Sequence, residues 1–229
     1  MKTPHVTERD NFSWLLGALV FLLFSDAIFS QLQVDWGDAL VNVALLITIF
    51  VAVWTVEENR GKWLQGKIVI SLLFSGLMLS DLFIDSNILE VYILTAMFLL
   101  LSTTLVLSWR QVMFVGKVDT NKVVGAICIY ILLGLIWAFG YLVIEGLSPG
   151  SLNGLEHEVW QQNMEDVIYY SMVTLTTLGY GDITPAQPLT RFLAYMEAVA
   201  GIFYTTVLVA SLIGMQLASH VILKEEEEG

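Results

Sequence analysis

Residues Thr174, Leu175, Thr176, Thr177, Leu178, Gly179, Tyr180, Gly181 and Asp182 make a poor helix, yet they stand between two long apolar segments and directly after a short amphipathic one. Flanking hydrophobicity of that kind places the stretch at or near bilayer depth. Lipid offers no partners for peptide groups, so non-helical backbone there must be buried in protein or line a watery cavity. Glycines that alternate with other residues admit dihedrals closed to residues with a side chain, and consecutive carbonyls can then face the same way. A row of carbonyls aimed at one axis is a site for a cation.

The rest of the chain agrees with a membrane setting. Of its 229 residues, 56% are hydrophobic and only 14% charged, and its mean hydropathy is +0.73, far above that of a soluble domain. The net charge of −12 includes the four acids at positions 225–228, and most other acids fall in short connections. No basic patch exists to hold nucleic acid. The single cysteine, Cys128, lies in an apolar segment, where small-residue packing is its expected role.

A bilayer core of about 30 Å needs roughly 20 apolar residues in helix. Six segments qualify: 12–32, 38–56, 67–84, 88–108, 122–145 and 189–222. A further stretch, 165–177, is too short to span and reads as re-entrant. Glu8 and Asp10 dilute the basic start that a signal peptide needs, so the first segment is expected to stay as a helix. Lys and Arg then set orientation. They precede the first segment (Lys2, Arg9), lie between the second and third (Arg60, Lys62, Lys67) and between the fourth and fifth (Arg110, Lys117, Lys122), and follow the sixth (Lys224). The intervening connections hold none, apart from Arg191 at the start of the sixth segment. Both termini are therefore expected in the cytoplasm of a multi-pass protein of the cell membrane. The expected division is a cytoplasmic N-terminal segment 1–11, a four-helix peripheral domain 12–108, a cytoplasmic linker 109–121, a pore domain 122–222 and an acidic tail 223–229.

Thr177, Leu178, Gly179, Tyr180 and Gly181 resemble the selectivity filter of potassium channels, whose usual form is TVGYG. The chain is thereby similar to the two-helix-pore channel superfamily, in a prokaryotic-type six-helix form without a basic voltage-sensing helix. The resemblance implies an all-α membrane fold: six transmembrane helices, a re-entrant pore helix and filter, and a tetrameric pore of four identical chains around a fourfold axis. It also implies that the carbonyls of Thr177, Leu178, Gly179 and Tyr180, with the Thr177 hydroxyl, replace the water shell of potassium ions, the only bound species expected. Gly181 supports the outer end, and Asp182 closes the motif. Leu178 stands where valine is usual, and Tyr169 and Tyr170 where tryptophans are common; a tyrosine ring and hydroxyl can still buttress a filter. Glu165 and Asp166 are expected in the first turn of the pore helix, where the positive end of its dipole suits them.

Gating candidates lie in the sixth segment. Gly201 stands at the position of a hinge glycine, although a helical glycine also serves close packing. Thr205 lies one turn further on, in a stripe with Leu208, Leu212 and Met215 or Gln216. Glu197 sits about 9 Å along the helix from Arg191, and an ionisable group at such depth is a functional candidate. Its bland role is a hydrogen bond to the re-entrant helix; its sharper one is to alter the filter's conducting state by protonation. Asp26 and Asp81 are expected to pair through a shared proton or to cap nearby polar groups. No cytoplasmic ligand-binding domain is expected, which leaves lipids, tension, protons or a separate regulatory protein as the agent that opens the pore.

Other readings compete with a potassium-selective channel: a weakly selective cation channel, a channel-like potassium transporter component, and a subunit that conducts only within a larger assembly. An enzyme is disfavoured. His5, His157 and His220 are far apart with no zinc-like spacing, and no Gly-Lys-Ser/Thr phosphate cradle occurs.

Overall fold

A computed structural model describes residues 11–32, 87–114, 120–155 and 160–208, with single positions between 43 and 76 and between 210 and 214. Among the described residues five helices run in the order α1 (Asn11–Leu32), α2 (Asn87–Phe114), α3 (Thr120–Leu147), α4 (Trp160–Leu175) and α5 (Pro188–Phe203), and α5 passes directly into a π turn, Tyr204–Leu208. Two two-residue strands, β1 (Leu152–Asn153) and β2 (Thr184–Pro185), pair antiparallel with Leu152 opposite Pro185. The expected segments 38–56 and 67–84, with Asp81, lie almost wholly outside the described residues.

Among the described residues two stretches, Ile88–Met113 and Asn121–Leu147, are long and apolar enough to cross a bilayer. At 1.5 Å per residue, the 28 residues of each parent helix reach about 42 Å, more than the hydrocarbon core requires. Apolar side chains encircle the helices. On α1, Leu15, Leu19 and Leu22 are buried at i, i+4 and i+7, while Trp14, Phe21 and Phe24 on the other side are exposed. A helix that is apolar all round belongs in a protein core or in lipid.

α3 is the central post. Its buried residues Cys128, Ile129, Leu132, Leu135 and Phe139 form one cluster with Leu15 and Leu19 of α1, Ile93 and Met97 of α2 and Met164 and Val167 of α4. Cys128 packs as expected of a small residue, its Sγ 3.4 Å from the Phe12 carbonyl oxygen.

Helix boundaries differ from those expected at several points. α2 continues to Phe114, past the expected 108, and α3 begins at Thr120, before the expected 122; fully buried Val112 draws the chain past bilayer length. α4 begins at Trp160 rather than 165, because Trp160, Asn163, Met164, Val167, Ser171 and Leu175 are buried along one helical face. Glu165 and Asp166 therefore fall in its second turn, away from the helix start where the dipole would favour them. Regular α-helix in the last segment is interrupted after Phe203 by the π turn, where hydroxyls compete with the ladder, and α-helical positions recur at 210, 211 and 214. Thr205 Oγ1 donates to the Gly201 or Ile202 carbonyl, both 3.1 Å away, and Thr206 Oγ1 to Ile202, 2.7 Å away. Threonines that bond back in this way bend helices.

Candidate functional site: the filter loop and its supports

The loop after α4 begins with a capping motif. Thr177 N–H donates to the Thr174 carbonyl at 2.9 Å, and Leu178 N–H to Val173 at 2.9 Å. This is a Schellman arrangement, with Thr177 in the left-handed position usually given to glycine. Its φ is 59°, the only positive value outside glycine among the described residues. Gly179 N–H reaches the same Val173 oxygen at 3.4 Å.

These three amides fix the direction of three carbonyls. In a planar trans peptide the C=O points opposite to the N–H. The amides of Thr177, Leu178 and Gly179 all face back onto α4, so the carbonyls of Thr176, Thr177 and Leu178 all face away from it. Positive φ then recurs at every second residue: 59° at Thr177, 58° at Gly179 and 83° at Gly181. In an ordinary strand successive carbonyls alternate sides; residues of opposite-handed φ in alternation turn successive peptide units to one side, as in the backbone concavities that bind ions. The expected conformation of the glycines is thus the observed one.

Aromatic and carboxylate groups hold the outer half of the loop. Tyr169 of α4 stacks on Tyr180, ring centroids 6.4 Å apart and planes within 9°. Its hydroxyl donates to Asp182 Oδ2 at 2.7 Å, and Asp182 Oδ1 accepts the Ile183 amide at 3.0 Å. Tyr170 turns inward and meets Tyr141 edge to face at 5.1 Å. Tyr169 thus buttresses the loop as expected, whereas Tyr170 packs between helices. A cavity of about 210 Å³ separates the loop from α4 and β2, lined among others by Tyr170, Val173, Thr174, Thr184 and Ala194.

The Tyr169 hydrogen bond outweighs desolvation and, with a lesser contribution from the Ile183 amide, holds the Asp182 carboxyl below the ordinary aspartate range. A carboxylate with a depressed pKa in the folded state contributes stability above its unfolded pKa, and that contribution disappears as pH falls through the folded value. In Tyr169→Phe the Asp182 pKa is expected to rise toward the ordinary value. Acidification should then disturb the loop at a higher pH than in the wild type; an acid titration of loop amide hydrogen exchange that overlays the wild type would contradict this.

A second carboxylate braces the chain that leaves the loop. Glu145, near the C-terminus of α3, accepts the amides of Gly150 at 2.5 Å, Ser151 at 2.8 Å and Leu152 at 3.0 Å. The Ser151 carbonyl in turn accepts the Ala186 amide at 2.9 Å and the Thr190 hydroxyl at 2.8 Å. The post-filter strand is thereby tied through β1 to the top of α3. Sequence reasoning passed over Glu145. The signal was present, since an acid in the last turn of a helix opposes the dipole unless something else engages it. Glu156 and Glu158 lie outside the described residues.

The gating candidates divide. Glu197 is fully buried and joins three helices: the Tyr141 hydroxyl of α3 lies 2.8 Å from Oε2, and the Ser171 hydroxyl of α4 lies 2.5 Å from Oε1. The bond to the re-entrant helix is therefore present. At Gly201 an added Cβ would fall 1.9 Å from the Leu175 carbonyl oxygen, so close packing is what this position requires. Thr205 is exposed within the π turn. Leu212, Met215 and Gln216 lie outside the described residues.

This arrangement of two flanking helices, a short helix between them and a loop with one-sided carbonyls is that of an ion-channel pore. Residues 125–216 match the family described as "Ion channel". Among curated relatives, the chain is 24% identical over 144 residues to a potassium channel of Plasmodium berghei, covering 59% of this chain and 10% of that one. It is 27% identical over 99 residues to a voltage-gated potassium channel of Aeropyrum pernix, covering 43% and 30%. With an inward rectifier potassium channel of Paramagnetospirillum magnetotacticum it shares 33% over 89 residues, covering 37% and 26%. The chain thus spans less than a third of the length of each of these relatives. No solved structure matches. Over this unit the chain is similar to potassium channels, and a match of that kind marks it as a membrane protein.

Proposed function

We propose that the chain is a subunit of a potassium-selective channel in the cell membrane, through which dehydrated potassium passes passively. The observation that carries this reading is the set of amides at Thr177, Leu178 and Gly179 that face α4 and leave consecutive carbonyls facing the other way. Carbonyls of Thr177, Leu178, Gly179 and Tyr180, with the Thr177 hydroxyl, replace the ion's hydration shell. Gly181 and Asp182 hold the outer end.

One chain supplies one quarter of a ring. Four copies around a closed axis are proposed, and the free surface supports them: Tyr180 is 67% exposed, and Phe192, Tyr195, Val199, Ile202 and Phe203 form an exposed apolar face along α5. Six membrane crossings per chain, cytoplasmic termini, surrounding lipid and the division into peripheral and pore domains at 109–121 complete the proposal. No nucleic acid takes part, and a separate regulatory protein is the partner class left for gating.

Purified protein reconstituted alone in potassium-loaded vesicles tests the reading. Potassium-selective flux is expected, with a reversal potential that tracks the potassium gradient in mixed potassium and sodium. Equal permeability to the two ions would leave a weakly selective cation channel, and absence of flux would leave a subunit that needs partners.

Voltage is not the proposed stimulus. α2 carries Arg110 and no other base along its 28 residues, whereas each charge that crosses the field gains only about 2.3 kcal/mol per 100 mV. A shallow conductance–voltage relation is expected in symmetrical potassium, with no gating current when the pore is blocked. A steep sigmoid equivalent to several charges per channel would refute this.

A further inference from the structure

Three oxygen–oxygen contacts run in line between α3, α4 and α5. Tyr141 Oη lies 2.8 Å from Glu197 Oε2, Glu197 Oε1 lies 2.5 Å from Ser171 Oγ, and Ser171 Oγ lies 2.7 Å from the Gly134 carbonyl oxygen. Each has the length of an O–H···O hydrogen bond, and each therefore needs one proton. The phenol and the serine hydroxyl supply one apiece, and the carbonyl supplies none. An ionised carboxylate would leave one of the three contacts as lone pair against lone pair. Tyr141, Ser171 and Glu197 are all 0% exposed, so no solvent relieves such a contact.

We propose that Glu197 is a neutral carboxylic acid whose own proton is the third one, and that it acts as a positioning residue for the pore helix and hence for the filter. Oε1–H donates to Ser171, Ser171 donates to the Gly134 carbonyl, and Tyr141 donates to Oε2. The consequence for conduction rests on the channel reading above; the proton count does not.

The surroundings suit the neutral form. The titratable groups that act on the carboxyl from the helices packed around it are tyrosines: Tyr130 and Tyr141 of α3 and Tyr170 of α4. Phenols are neutral below a pH of about 10 and offer no positive charge to hold an anion. Ser171 stands two residues before Val173, whose carbonyl receives the Leu178 and Gly179 amides of the filter. Loss of the carboxyl proton removes one hydrogen bond from the chain of three and sets two oxygens in repulsion between α4 and a neighbouring helix. The displacement reaches the filter through Val173. Conduction is present while the proton is bound, and it falls as pH rises through the ionisation of Glu197.

Infrared difference spectroscopy of wild type against Glu197→Gln, both in lipid at neutral pH, reads the proton directly. A protonated-carboxyl C=O band in the wild type that the variant lacks is expected; a carboxylate pair in its place would overturn the proposal. Glutamine keeps the whole line, its N–H donating to Ser171 and its C=O accepting from Tyr141, but it has no proton to lose. Potassium flux of Glu197→Gln should match the wild type at neutral pH and lose the decline at alkaline pH. Glu197→Leu should carry at least about tenfold less flux. Flux of Glu197→Gln as low as that of Glu197→Leu would overturn the neutral acid, and an unchanged alkaline decline would overturn its role as a switch. A protonated-carboxyl band in a wild type that carries no flux would overturn conduction by this chain alone and leave the proton assignment standing.

Discussion

Gly201→Ala is expected to give a chain that no longer holds its pore helix and that yields little assembled protein. The added Cβ would lie 1.9 Å from the carbonyl oxygen of Leu175 and 2.9 Å from its carbon. Both atoms are backbone, and Leu175 is the last residue of α4, so no side-chain rotation relieves the overlap; α4 or α5 must move. Overpacking typically costs 1–3 kcal/mol and more where backbone is displaced, so a loss of about 3 kcal/mol or more per chain is expected. Gly214→Ala is the control. Nothing lies within 4 Å of a Cβ there, and alanine favours helix by up to about 1 kcal/mol. Thermal unfolding in detergent and the yield of oligomer by size exclusion measure both variants. A Gly201→Ala protein as stable as the wild type would show that the contact between α5 and α4 is not what the geometry says.

The second large effect is on selectivity and leaves the fold intact. Gly179 and Gly181 have φ of 58° and 83°, and no atom stands within 4 Å of a Cβ on either. The penalty for Gly179→Ala or Gly181→Ala is thus conformational, about 1–2 kcal/mol per residue for an L side chain in the left-handed region, and about 4–8 kcal/mol for a ring of four copies. Backbone that relaxes to negative φ turns its carbonyl out of the row. Potassium current should be abolished in each variant, while the protein assembles and unfolds much as the wild type does. Both variants retaining wild-type preference for potassium over sodium would remove the filter assignment.

The two glycine sites show what a sequence discloses. Gly179 and Gly181 were legible because alternating glycine in a non-helical stretch between apolar segments has few other uses, and the observed φ values meet the expectation. Gly201 could be placed in the last helix, but hinge and close packing look alike until Leu175 is seen against it. Boundaries were harder. Gln161, Gln162, Asn163 and Glu165 lower the hydropathy of the first turns of α4, while the buried face through Trp160 and Met164 keeps them helical. The π turn was not legible at all. It involves Thr205 and Thr206 hydroxyls bonded back along the helix and Tyr204 anchored on the Ala126 carbonyl, 78 residues away in the chain. Glu197 announced itself by depth alone; its partners Tyr141 and Ser171 are 56 and 26 residues distant, and no local pattern points to them.

The capping motif at Thr177 bears on the order of assembly. Every hydrogen bond that gives the start of the filter its curvature joins residues within 173–179 of one chain. Contacts so local close early in folding, since little loop entropy opposes them. In the proposed tetramer each subunit would therefore bring a quarter-ring already bent, and association of four chains would be the docking of preformed pieces rather than folding coupled to binding. The ordering entropy of the filter is spent before the subunits meet, so it does not weaken their affinity.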